Sequence, residues 1–169
     1  MQEKHTETPE RTSYGECAAA LFVQGYNCAQ SLTGAFYKHT GLTREQMLRL
    51  CSSFGGGMGR LREVCGAVTG MFMISGLLQG YSEPQDTEGK AAQYARVQEL
   101  ARRFRERHGS IICRELLGVT GSETPVPSER TARYYQERPC CALISSAADI
   151  LAAYLYENGI NLSSGTCSK

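Results

Sequence analysis

An all-α fold in a single domain is what this chain predicts, and three observations lead there. No stretch between turn signals alternates apolar and polar residues over the length of a strand; apolar residues instead recur at three- and four-residue intervals; and cap residues such as Asn27 and Thr43, with glycines at 25, 41 and 109, stand where such segments begin and end. With 169 residues the chain can bury a sizeable core without cross-links. The expected architecture is a bundle of about six helices around a central glycine-rich apolar helix within residues 54–80, in a helical domain of residues 9–158. A polar lead at 1–8 and a tail at 159–169 read as disordered and flexible.

The elements follow in order. Pro9 suits the start of a first helix that runs to about Gln24, with Cys17 and Leu21 on its apolar stripe and Gly25 as its stop. Asn27 is an N-cap for a second helix in which Cys28, Leu32, Ala35 and Phe36 share one face. Thr43 and Gln46 form a capping box ahead of Met47, Leu50, Cys51 and Phe54, where Cys51 reads as core. Residues 55–59 then turn the chain into the central segment, which carries no charge from Val64 to Tyr81. Its interior glycines at 66, 70 and 76 weaken a helix by about 1 kcal/mol each, a loss that close packing offsets. A long helix over Thr87–His108 places Tyr94, Val97, Ala101, Phe104 and His108 on a buried seam, and its arginines on a solvated face. His108 reads as a satisfied core histidine. Residues 119–139 read as loop, and Pro139 starts a last helix, Cys140–Glu157, buried through Leu143, Ala147, Ile150, Leu151 and Tyr154.

The central segment is interrupted by Thr69, Ser75 and Gln79 and has no second apolar stretch beside it, so it reads as core and not as a membrane span. A net charge of +1 with mixed signs leaves no electrostatic footprint for nucleic acid or an acidic membrane. The first sixteen residues contain no apolar signal core, which points to the cytoplasm. There, eight cysteines are buried hydrophobes, metal ligands or reactive thiols sooner than structural disulfides.

Four of them share a context: Cys28, Cys65, Cys113 and Cys140 each lie near a helix start or a glycine turn with an apolar flank. A helix start favours the thiolate. No C-x-x-C spacing occurs, so a common site has to be assembled from distant parts of the chain. The glycine run, with Gly56, Gly57 and Arg60 and with Arg62 beside it, could cradle an anion on its backbone N–H groups, although it matches neither phosphate-binding glycine motif and a structural turn is the simpler reading. Cys167 in the tail has no evident role.

Four stretches, GYNCAQS (25–31), FGGGMGR followed by VCGAVTG (54–70), CRELLG from Cys113, and the cysteine ahead of Ile144 and Ala147, resemble the C_GCAxxG_C_C family, bacterial and archaeal proteins to which redox activity is ascribed. The family's cysteines map onto Cys28, Cys65, Cys113 and Cys140, with Cys141 as a neighbouring alternative to Cys140. In this chain the central element reads Cys65-Gly66-Ala67, with cysteine and glycine exchanged relative to the family name. The resemblance implies that the four cysteines converge as candidate catalytic thiols in thiol–disulfide exchange with an unidentified redox partner. The same four are the candidate ligands for zinc or an iron–sulfur cluster in a metal-binding module; the cofactor stays open among these and none. A helical interaction protein without chemistry is the third reading, and a homo-oligomer is compatible with all three.

Overall fold

The computed structural model describes residues 13–162. The fold is all-α, as expected, and among the described residues the only extended pairing is one isolated antiparallel bridge between Val64 and Ile112. Among the described residues eight helices of five residues or more carry it instead of about six: Tyr14–Val23, Cys28–Phe36, Arg44–Leu50, Gly66–Gln79, Thr87–His108, Cys113–Leu117, Ala132–Glu137 and Cys140–Glu157. The additional two are short, Cys113–Leu117 and Ala132–Glu137, and the second lies within the stretch read as loop. The expected helix start at Pro9, the lead at 1–8 and Cys167 lie outside the described residues; the first described helix is capped by Ser13, which accepts from the Glu16 N–H in a capping box with Glu16.

The helices meet around the Gly66–Gln79 helix and the Cys140–Glu157 helix. The second helix lies against the first, the first against the last, and the central helix contacts the second, the long and the last. Glycine lets the central helix come this close: a Cβ on Gly66 would lie 2.8 Å from the Phe54 carbonyl oxygen and 2.9 Å from Cβ of Cys28, so no other residue fits without moving backbone. Phe22, Phe36, Phe104, Leu32, Met47, Met71, Ile74, Ile144 and Leu151 fill the interior with essentially no exposure.

Three expectations are corrected. The central helix starts later than a turn at 55–59 leads one to expect. It begins at Gly66 with Cys65 as N-cap, and the chain before it is a series of tight turns. The long helix turns a different face inward, with Gln93, Leu100, Ala101 and Phe104 buried, while Tyr94 is 56% exposed. Two adjacent stripes share Ala101 and Phe104, and packing of the central helix selects the one through Leu100. Beyond the last helix, Ile160 and Leu162 pack against the core. Cys140–Glu157 is the one described helix long and apolar enough to cross a membrane by length and composition, and half of it is buried within the bundle.

Candidate functional site

Each of four cysteines begins a helix. Asn27 caps the second helix through a capping box with Gln30, accepting from the Gln30 N–H at 2.9 Å, which fixes Cys28 as the first helical residue. Cys65 is the N-cap of the central helix, Cys113 opens Cys113–Leu117, and Cys140 follows Pro139 at the start of the last helix. Cys65 and Cys113 are drawn together by main chain: the Cys65 N–H donates to the Ile111 carbonyl at 2.8 Å and the Cys113 N–H to the Glu63 carbonyl at 2.6 Å, on either side of the Val64–Ile112 bridge. All four line one cavity of about 190 Å³. Cys141 is not among its lining residues, so of the two adjacent cysteines it is Cys140 that faces the other three.

The four thiols are not equivalent. Cys28 is lowered to about 7, chiefly because the Cys140 thiol donates to it, with the Gly56 N–H and the nearby Arg130 charge adding to this against the cost of burial. Cys140 moves the other way, since it donates its proton toward Cys28 and is itself partly buried. Burial and the neighbouring Cys28 charge push Cys65 up to about 12, even though the Ala67 and Val68 N–H groups point at its sulfur. Burial also raises Cys113, partly offset by Arg62, whose Nη1 is 3.6 Å from its sulfur. Of the four, Cys28 is therefore the thiol that ionises first, around neutral pH, facing a protonated partner, Cys140.

The glycine run shapes this site. Gly56, Gly57, Met58, Gly59, Arg60 and Arg62 all have positive φ. For the three non-glycine residues that conformation costs roughly 1 kcal/mol or more each, so the surroundings have to hold it. Glu123 does so: its carboxylate pairs with both Arg60 and Arg62, while Arg60 also donates to the Thr124 carbonyl at 2.7 Å and the Ser128 hydroxyl at 3.2 Å. Of the three residues expected to cradle an anion, Gly56 and Arg60 line the cavity. Gly56 turns its N–H toward Cys28, whereas Gly57 packs beneath Cys113, where a Cβ would come within 2.5 Å of the cysteine Cβ.

The remaining cysteines lie elsewhere. Cys51 is fully buried between Met47 and Met73, accepts from the Thr33 hydroxyl at 3.2 Å, and burial pushes its thiol up. Cys17 is buried on the stripe that predicts it, but it is disulfide-bonded and not a free thiol. His108 is satisfied by the Ser146 hydroxyl at 2.8 Å and rests on Phe104. Arg62, read with Arg60 beside the glycine run, also lines the cavity, whereas sequence does not single out Glu123, Arg130, Tyr134 and Arg138. Their signal was a run of arginines in segments that read as loop, which by itself resembles any solvated surface.

The donors do not fit a metal shell as they stand. No three Cys, His, Asp or Glu side chains among the described residues are disposed to hold one ion; Cys28 and Cys140 face each other, and Cys113 faces a guanidinium.

No curated protein and no solved structure matches the chain. A family model described as "Putative redox-active protein (C_GCAxxG_C_C)" matches residues 26–154, a span that contains all four cavity cysteines. The chain is a member of the C_GCAxxG_C_C family.

Proposed function

We propose that this protein is a thiol–disulfide exchange protein in which Cys28 attacks and Cys140 resolves. The observation that carries the reading is the pairing of a Cys28 thiolate with the Cys140 thiol at two helix starts that open on one cavity. In the exchange, the Cys28 sulfur attacks one sulfur of a substrate disulfide, forming a mixed disulfide and releasing the other sulfur as a thiolate. The Cys140 proton passes to that leaving thiolate. The Cys140 sulfur then attacks Cys28, the second substrate sulfur leaves and takes a proton from water, and a Cys28–Cys140 disulfide remains. The substrate has gained two electrons and two protons, and the protein dithiol has lost two electrons. Cys65 and Cys113, held protonated beside the pair, supply a dry wall to the cavity in this reading. A reducing cytoplasm, which would regenerate the dithiol, belongs to the same proposal.

The test is thiol counting with mass spectrometry after mild oxidation and re-reduction. Loss and recovery of two thiols, mapped to Cys28 and Cys140 and absent in Cys28→Ser, is the expected result. Oxidation that maps to another pair would overturn it. So would stoichiometric zinc, or iron with acid-labile sulfide, that survives anaerobic purification and disappears in Cys65→Ser, which would restore the metal-module reading.

A further inference from the structure

The cavity around Cys28 is lined by four arginines, Arg60, Arg62, Arg130 and Arg138, and by no aspartate or glutamate. Two of these charges are answered from outside the lining, since Glu123 pairs with Arg60 and Arg62. The other two form no ion pair: Arg138 stands near enough to Glu123 to help lower its carboxyl without pairing with it, and Arg130 donates from Nη2 to the Tyr26 carbonyl at 3.4 Å. Arg130 lies over the rings of Phe22 and Tyr134, with its guanidinium carbon 4.5 Å and 4.8 Å from their centroids, and Arg138 lies 4.8 Å over the same Tyr134 ring. Neither has a carboxylate partner among the described residues, and Nη1 of Arg130 is buried without any hydrogen-bond acceptor. Nε of Arg62, a side chain only 3% exposed, is likewise buried and unpaired. A buried N–H of a cation is rarely left without an acceptor, so such groups at the wall of a cavity mark where a ligand's acceptor sits. The aromatic rings hold the two guanidinium groups at the cavity and leave N–H groups of both for a carboxylate, the anion that guanidinium groups bind best by paired N–H bonds.

We infer that the cavity takes a small organic disulfide bearing a carboxylate, which Arg130 and Arg138 grip while its sulfurs face Cys28. The inference rests on the thiol–disulfide reading and adds the chemical class of the substrate. The exchange is the one already written: the carboxylated disulfide is the oxidant and leaves as two thiols, and the protein dithiol becomes the Cys28–Cys140 disulfide. Arg130 plays two parts here, since its charge also favours the Cys28 thiolate.

The test compares oxidation of the reduced full chain by dithiodipropionate, hydroxyethyl disulfide and cystamine, which are anionic, neutral and cationic. Rates of formation of the Cys28 mixed disulfide are followed by mass spectrometry. The ratio of anionic to neutral rate is the readout, because the thiolate fraction of Cys28 cancels from it. We expect dithiodipropionate to react about tenfold faster than the neutral disulfide and cystamine to be slowest, with the ratio falling toward one in Arg138→Gln and in Arg130→Gln and shrinking at high salt. Equal rates for all three, with two-thiol oxidation intact, would overturn the substrate class and leave the exchange reading standing. Alkylation of Cys28 by iodoacetate against iodoacetamide provides a readout independent of redox chemistry. Faster iodoacetate labelling that depends on Arg130 and Arg138, in a protein that none of the three disulfides oxidises, would keep an anion site and overturn both the exchange reading and the disulfide identity of the ligand.

Discussion

At the start of the second helix one thiol is drawn toward ionisation, and against the body of the same helix another is kept neutral. Cys28 is half-buried and Cys51 fully buried, and both have a hydrogen-bond donor, yet Cys28 falls to about 7 while Cys51 is raised. The difference lies in what surrounds the sulfur. Cys51 has one hydroxyl and two thioethers around it, none of which welcomes a charge. Cys28 has a thiol donor, a glycine N–H freed by a left-handed turn, a guanidinium, and the first turn of its own helix. Partial burial alone does not mark the reactive cysteine, since Cys140 is also half-buried and moves the other way; the count of donors and cations around the sulfur is the better guide.

The contrast breaks most severely if the two helices carrying it are pushed apart. Gly66→Val places side-chain atoms where the Phe54 carbonyl and Cys28 Cβ already stand, and should destabilise the fold by about 3 kcal/mol in denaturant unfolding and abolish the fast reaction of Cys28. Parent-like unfolding with normal reactivity would mean that the close approach is not needed. Removing only the thiol donor is the next largest change. Cys140→Ala should raise the Cys28 pKa toward that of an ordinary thiol and slow its alkylation at pH 7 by about tenfold, read from the pH profile of iodoacetamide labelling. A profile that does not move would assign the thiolate to the backbone and Arg130 alone.

The contrast is sharpened by the pH dependence of stability. The folded pKa of Cys28, about 7, lies below the roughly 8.5 of an unfolded thiol, so between these values the unfolded chain binds more protons and stability rises with pH. Cys65 behaves oppositely. It keeps its proton to about 12, so above the unfolded value the native state binds more protons and stability falls. The difference in unfolding free energy between the parent and Cys28→Ser should therefore grow from pH 7 to 8.5; a flat difference would contradict the lowered pKa. The smallest effect belongs to the inert thiol: Cys51→Ala should cost about 1 kcal/mol and leave Cys28 labelling unchanged. Altered labelling there would mean that the two cysteines are coupled.

How far the sequence could be read follows from which interactions are local. Asn27 and Thr43 announce their helices because a cap is written within four residues, and the structure has both capping boxes. Cys28 at a first turn was legible for the same reason. The Cys28–Cys140 pairing was not, because no local pattern says which helix starts meet. Nor were the conformations of Met58, Arg60 and Arg62: positive φ is advertised by glycine, and here three other residues adopt it because Glu123 and the 62–65 pairing with 111–114 hold them there. Spacing alone turns Tyr94 inward because two stripes of the long helix lie side by side, and only the neighbouring helix chooses between them.

Part of what keeps Cys28 anionic is peptide, namely the Gly56 N–H, its own N–H and the end of a helix. A peptide group cannot be lost by changing a side chain. The readiness of this cysteine to react is in that measure inherited with the fold, while the arginines around the cavity are free to drift. Members of the family could then differ widely in what they accept and still share the same reactive sulfur, so a comparison across them should find the rate of alkylation by a neutral reagent far more uniform than any preference for charge.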